Sequence, residues 1–309
     1  MSTKKTVAFI GLGTMGGPMA ANLAEAGIRT IGVDLNPEAR DEARSKGIEI
    51  AETNAEAVAD ADCVITVLPA GKHVRSVFAG DDGIWANARE GALLIDASTV
   101  DIETSQWCHD ESKARGFRFA DAPVSGGVPG AVDGTLTVML GADPDDVAEL
   151  KDLFDSMTAR AIDTGGPTKG IAAKICNNMM LFINLVSTCE GAQLAENLGL
   201  DAKVFQEIAS TSSGRSFPLD TWYPAPGVLD SSPAERGFAP DFPAKGALKD
   251  VSLALAAGKL TGVNLPAAEL TAGQFQTLID EGLGGKDCSL IVKLASPNGE
   301  VRGFTPEEG

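Results

Sequence analysis

Apolar positions follow two regimes along this chain. In the first half they gather in short runs, at residues 7–10, 30–33, 63–68, 93–96, 117–120 and 136–140. Most of these runs are separated by stretches of helical period, such as 37–46, 55–60 and 102–115. A strand covered on both faces reads as a continuous apolar run, and strands alternating with helices imply a parallel sheet between two helical layers. Near Asp163-Thr164-Gly165-Gly166-Pro167 the pattern changes. Ile171, Ile175, Met179, Phe182, Ile183 and Val186 then mark one long, mostly apolar helix over 168–198. A helix apolar on most faces is buried. Further helices are predicted at 202–212, 244–259, 267–281 and 289–294. Residues 213–241 are irregular, and their Trp222 and Tyr223 point to a packed loop at a functional site rather than to disorder. The expected architecture is α/β, a doubly wound domain over 1–165 followed by an all-α domain over 166–309.

Composition narrows the function classes. Lys and Arg total 25 against 43 Asp and Glu, a formal charge of −18, which argues against nucleic acid or an anionic membrane surface as partner. Thr3-Lys4-Lys5 leads into only a short apolar stretch, so no secretory leader is expected, and no uninterrupted apolar run reaches membrane-spanning length. The five cysteines form no CxxC pair, which suggests neither zinc nor a disulfide framework and fits a reducing cytoplasm. No metal site is expected. Of the two histidines, His109 lies in a polar helical stretch and reads as solvated.

Candidate chemistry starts at residues 11–16. The first apolar run ends in Gly11-Leu12-Gly13-Thr14-Met15-Gly16, and a helical pattern follows. Strand, GxGxxG and helix in that order form the dinucleotide fingerprint of a Rossmann-type domain. Gly11 permits the tight turn, Gly13 admits a pyrophosphate to the backbone, and Gly16 lets helix and strand pack closely. Asp34 ends the second run, where a carboxylate accepts hydrogen bonds from the adenosine ribose and repels a 2′-phosphate. No arginine follows before Arg40, so NAD is favoured over NADP. Leu68-Pro69 and Ser98-Thr99 each follow a strand end and should face the cofactor, although both also read as plain turns.

Three more motifs carry chemistry. Asp121-Ala122-Pro123-Val124-Ser125-Gly126-Gly127 offers a hydroxyl and backbone N–H groups that suit a carboxylate, or is an ordinary Gly/Pro turn. Lys174 and Asn178 share one face of the long helix among apolar neighbours. A lysine stripped of water releases its proton more readily, as a general base requires, whereas one that snorkels to the surface does not. Lys249-Asp250, taken alone, reads as a solvated pair.

With these residues in order, the chain resembles the β-hydroxyacid dehydrogenases over nearly its whole length. The matches are Gly11 to Leu23, Asp121 to Gly127 with Gly134-Thr135-Leu136, then Gly170, Lys174, Asn177 and Asn178, and Lys249-Asp250. Ser213-Gly214-Arg215-Ser216 and Trp222 to Val228 are similar to the hydroxyisobutyrate branch. The resemblance implies Lys174 as the catalytic lysine with Asn178 its partner. It implies Ser125, Gly126 and Gly127 at the substrate carboxylate, and Leu12, Met15, Asp34, Leu68, Pro69, Thr99 and Lys249 beside NAD. It further implies a small 3-hydroxy acid substrate, valine breakdown as its route, and a homodimer or homotetramer. Thr168-Lys169-Gly170 and Phe217-Pro218 depart from the family pattern. Rival readings are a sibling acting on serine, tartronate semialdehyde or succinic semialdehyde, and a non-catalytic dinucleotide-binding module. The presence of Lys174 weighs against the latter, and against an imine reductase.

Overall fold

A computed structural model describes residues 5–305. Thr3 and Lys4, which opened the leader reading, lie outside the described residues. By its internal contacts the chain divides into Met1–Lys174 and Ile175–Gly309, a division that falls inside the long helix.

The first unit begins with β1 (Thr6–Ile10), α1 (Gly16–Glu25), β2 (Arg29–Val33), α2 (Pro37–Ser45), β3 (Glu49–Ile50), α3 (Asn54–Val58) and β4 (Cys63–Thr66). There follow α4 (Gly71–Phe78), α5 (Ile84–Asn87), β5 (Leu93–Asp96), α6 (Ile102–Ala114) and β6 (Arg118–Asp121). These six strands form one sheet in the order β3-β2-β1-β4-β5-β6, parallel throughout. The order reverses at β1, so the crevice for a ligand opens beyond the carboxyl ends of β1 and β4. Val7, Phe9, Cys63, Ile65, Leu93 and Ile95 are fully buried, which explains the uninterrupted apolar runs.

One expectation fails here. The run at 136–140 is a strand, but not of the main sheet. It is β8 (Leu136–Leu140), central in a second sheet between β7 (Val124–Ser125) and β9 (Thr158–Asp163), with α7 (Gly127–Val132) and α8 (Val147–Phe154) around it. β7 pairs with β8 antiparallel, and β9 pairs with it parallel. Apolar content shows that a strand is buried, not which neighbour it pairs with.

The second unit is helical. α9 (Lys169–Asn197) enters it from the first and is followed by α10 (Ala202–Thr211), α11 (Phe217–Thr221), α12 (Ala244–Thr261) and α13 (Pro266–Asp280). α9 is long and apolar enough to cross a membrane by length and composition. In the fold its Phe182, Leu185, Val186 and Cys189 pack with Ala247, Val251, Phe275 and Leu278 into the core of this unit. Met180 and Leu194 remain exposed, so burial of α9 is one-sided in places. The segment 213–241 is packed, as expected: Tyr223 is buried, and Ser232 Oγ donates to its carbonyl at 2.6 Å.

Candidate active site

β1 runs straight into the fingerprint. Gly11 has φ of 97°, and a Cβ there would lie 2.2 Å from the Val67 carbonyl oxygen, so this turn admits only glycine. A Cβ on Gly16 would sit 1.9 Å from the Gly11 carbonyl oxygen, because α1 starts against the turn. Gly13 differs: nothing lies within 4 Å of its added Cβ. The fold therefore needs glycine at 11 and 16, while the open space at Gly13 is the cradle a pyrophosphate requires. On that test the residues present fit a dinucleotide.

Asp34 binds this turn directly. Its Oδ2 accepts from the Leu12 N–H at 2.7 Å and its Oδ1 from the Asn36 N–H at 2.8 Å. Both oxygens keep lone-pair capacity for ribose hydroxyls. The Leu12 side chain lies in the hydrophobic core and Met15 packs against that core, so Leu12 presents backbone rather than side chain to a ligand. Arg40 is engaged with Glu52 at 3.0 Å.

The next two loops are tied together beneath the crevice. Buried Asp96, ending β5, accepts from Thr66 Oγ1 at 2.7 Å and from the Ser98 N–H at 3.1 Å. Ser98 Oγ in turn accepts from the Leu68 N–H at 2.8 Å. One carboxylate thus holds the loop of Leu68 and Pro69 to the loop of Thr99. Burial pushes the Asp96 carboxyl above its usual range, opposed by the Ser98 and Thr66 hydrogen bonds.

Ser125 ends β7 and is half-buried, whereas Gly126 and Gly127 are exposed. Gly126 has φ of 139°, a region effectively closed to other residues, and its Cβ would meet Leu136 Cδ2 at 2.9 Å. The strained turn aims this stretch of backbone outward at the start of α7.

Lys174 lies on α9 and is only 7 % exposed. Asn178, one helical turn on, is 2 % exposed, and its Nδ2 donates to Asp250 Oδ2 at 2.6 Å. Asp250 also pairs with Lys249, Nζ to Oδ1, at 3.1 Å. The expectation of a solvated pair fails for Asp250, which is 2 % exposed on α12. An unpaired buried carboxylate would be costly, and Asn178 with Lys249 offsets that cost. In the second unit Asn178, Asp250 and Lys249 therefore form one network, and Asp250 fixes the Asn178 amide so that its oxygen faces away from the carboxylate.

His109 corrects a third expectation. It is buried rather than solvated, and its Nε2 lies 2.7 Å from Asp121 Oδ1. The polar pattern of α6 misled because its buried face is itself polar: Thr104, Ser105, Cys108, His109 and Ser112. Arg75 and Trp85 donate to that face, at Thr104 Oγ1 and Ser112 Oγ. Neither Asp121 nor Asp250 was singled out from sequence as a working residue. For Asp121 the available signal was an acidic residue inside a motif otherwise made of apolar and small residues, and for Asp250 its position one residue after Lys249. Among the described residues no group of three His, Cys, Asp or Glu side chains is placed to hold a metal ion.

Comparison with known proteins bears on the whole chain. Residues 6–166 match the family model described as the NAD binding domain of 6-phosphogluconate dehydrogenase. Residues 168–295 match the one described as NAD-binding of NADP-dependent 3-hydroxyisobutyrate dehydrogenase. An NAD-dependent L-serine dehydrogenase of Pseudomonas aeruginosa is 37% identical, covering 95% of this chain and 98% of its own. A 3-hydroxyisobutyrate dehydrogenase of the same organism is 39% identical, over 93% and 97%. The solved structure of the Mycobacterium tuberculosis 3-hydroxyisobutyrate dehydrogenase with L-serine superposes with a TM-score of 0.87 at 35% identity, covering 94% of this chain and 99% of that one. An imine reductase from a Pseudomonas species shares the fold at 14% identity. The fingerprint, the helical second unit and these relatives together place the chain in the β-hydroxyacid dehydrogenase family, as an NAD-dependent oxidoreductase of the 3-hydroxyisobutyrate dehydrogenase type.

Proposed function

We propose that this enzyme oxidises 3-hydroxyisobutyrate to methylmalonate semialdehyde with NAD, using Lys174 as general base. The observation that carries the reading is an amine held 7 % exposed on the long helix α9, one turn from a buried asparagine whose amide is fixed by Asp250. In this reading neutral Lys174 accepts the hydroxyl proton, and in the reverse direction the protonated amine returns it. Bound NAD supplies the hydride acceptor. Asn178 orients the hydroxyl or the lysine. Ser125, with the backbone of Gly126 and Gly127, holds the carboxylate. Gly11, Gly13, Gly16, Asp34, Leu68, Pro69, Thr99 and Lys249 hold the dinucleotide, and Asp34 favours NAD over its 2′-phosphate analogue.

L-serine is the second reading, favoured by the serine dehydrogenase relative and by the solved relative with L-serine. The two acids share a carboxylate and a primary alcohol on the third carbon. They differ in a methyl or an ammonium group on the second. An enzyme that separates them does so at that substituent, and leaving an ammonium without partners is strongly unfavourable. Initial rates with 3-hydroxyisobutyrate, L-serine, glycerate and 4-hydroxybutyrate, each with NAD and NADP, test this. The reading predicts the highest kcat/KM for 3-hydroxyisobutyrate with NAD, and a higher value for L-serine would replace it.

We also propose a cytoplasmic homodimer or homotetramer that serves valine breakdown. Leu194 on α9, Leu198 just beyond its end, and Val204 and Ile208 on α10 are about half exposed or more, a face a second copy would cover. Five free cysteines suit a reducing compartment. The charge of −18 disfavours nucleic acid and anionic membranes.

A further inference from the structure

The first turn of a helix has N–H groups with no partner inside the helix, and a nearby carboxylate usually satisfies some of them. In α9 that carboxylate comes from far away in sequence. Asp121, ending β6, is 2 % exposed, and its Oδ1 accepts from the Thr168 N–H at 2.8 Å. Its Oδ2 accepts from the Ile171 N–H at 2.7 Å. Thr168 adopts φ of 63°, so the chain turns sharply just before the helix to deliver both donors. Ile171 stands three residues before Lys174.

The carboxylate has no room to move. Asp121 exchanges both backbone hydrogen bonds with Gly141, at 3.0 and 2.8 Å. A Cβ on Gly141 would lie 2.4 Å from Asp121 Oδ1. A Cβ on Gly170 would lie 2.4 Å from the Met139 carbonyl, 2.7 Å from that of Asp121 and 2.8 Å from Asp121 Oδ2. Both positions are glycine because the helix start and the strand ends are pressed against this side chain. His109 closes the remaining side. At 2.7 Å from a carboxylate oxygen its Nε2 is assigned as the protonated nitrogen and donates to Oδ1; the Thr168 N–H, 3.3 Å from that nitrogen, donates instead to Oδ1 at 2.8 Å. Its ring rests edge-on against Phe119, with centroids 4.7 Å apart.

We propose that His109 and Asp121 are positioning residues for catalysis: His109 orients the Asp121 carboxylate, which fixes the first turn of α9 and thereby places the Lys174 amine. The inference rests on Lys174 being the proton-transfer group. A small displacement of a reacting group lowers rate steeply while leaving binding elsewhere intact. The effect therefore falls on chemistry, not on nucleotide affinity.

The test is a set of His109 variants, read by melting temperature, NADH dissociation constant, hydroxy-acid KM and the single-turnover rate of nicotinamide reduction. His109→Leu removes the donor, and His109→Gln restores an N–H of similar reach. The expected result is a single-turnover rate about tenfold lower in His109→Leu, with NADH affinity and KM within about twofold of wild type and the rate largely recovered in His109→Gln. Should His109→Leu not accumulate as folded protein, His109→Asn, whose amide falls short of Asp121, takes its place with the same expectation. A melting temperature that falls while the single-turnover rate stays at the wild-type value would mean that the pair only holds the fold together, and overturns the proposal. So would parallel losses in rate and NADH affinity. Lys174→Ala, run alongside, separates the two ideas: if it keeps its turnover the lysine reading fails, whereas if it is inactive and His109→Leu is unimpaired, only the positioning role fails.

Discussion

Glycines 13 and 16 stand three residues apart in one motif, yet they answer to different demands, and alanine at each position tells them apart. At Gly16 an added Cβ would lie 1.9 Å from the Gly11 carbonyl oxygen, 3.0 Å from its carbon and 3.1 Å from Phe9 Cε1. The backbone must give by about an ångström in a close-packed core. Overpacking of this kind costs about 1–3 kcal/mol or somewhat more, and the helix preference of alanine returns at most about 1 kcal/mol. A net loss of about 2 kcal/mol lowers the melting point of a unit this size by roughly 4–8 °C. At Gly13 nothing lies within 4 Å, and its φ is not among the positive ones. Alanine there leaves the apo protein unharmed and stabilises it by up to about 1 kcal/mol through the unfolded chain. Its methyl group instead occupies the space assigned to the pyrophosphate. A clash of about 1–3 kcal/mol corresponds to nucleotide binding weaker by roughly 5- to 150-fold. Thermal melts without nucleotide, together with fluorescence titration by NADH, read both quantities. Gly13→Ala with wild-type NADH affinity, or with a melting point as low as that of Gly16→Ala, would refute the reasoning.

Two further outcomes follow from buried ionisable groups. Because burial raises the Asp96 carboxyl above the usual carboxylate range, ionising it in the folded protein costs stability at neutral pH, and that cost fades as pH falls through the folded value toward the unfolded one. Asp96→Asn keeps an acceptor for Thr66 and Ser98 without the charge, so its melting temperature relative to wild type should be more favourable at neutral pH than close to the unfolded carboxylate range, near pH 4; the opposite trend in paired melts would contradict the assignment. Burial likewise pushes the Cys63 thiol up to about 11 and those of Cys108, Cys189 and Cys288 higher still, while Cys176 is exposed. A colorimetric thiol titration should find one fast thiol in the native enzyme, lost in Cys176→Ser, and a second fast thiol in that variant would be inconsistent with this burial.

Much of this is legible in the amino-acid sequence alone. The strands of the main sheet are buried on both faces and so announce themselves as apolar runs. The long helix has a periodicity that set its ends to within a residue, 168–198 against Lys169–Asn197. β9 escaped because only its first residue is buried and its sequence, TARAID, alternates without a clear apolar face. β3 and β7 are two residues each, too short for periodicity to speak. The supporting residues were hidden for a different reason. His109, Asp121 and Asp250 are buried by virtue of one another's hydrogen bonds or those of Asn178 and backbone N–H groups. Sequence patterning equates polar with exposed, and it fails wherever polar side chains satisfy each other across long separations.

The central claim concerns the Lys174 amine. Its most direct test is Lys174→Ala, assayed for turnover of the preferred hydroxy acid and for NADH affinity in the same preparation. Loss of a positioned general base predicts a kcat lower by roughly 10²- to 10⁴-fold, with the NADH dissociation constant within about twofold of wild type. A variant that binds NADH normally and turns over at more than about a tenth of the wild-type rate would contradict the account, because general-base catalysis is worth at least about a hundredfold.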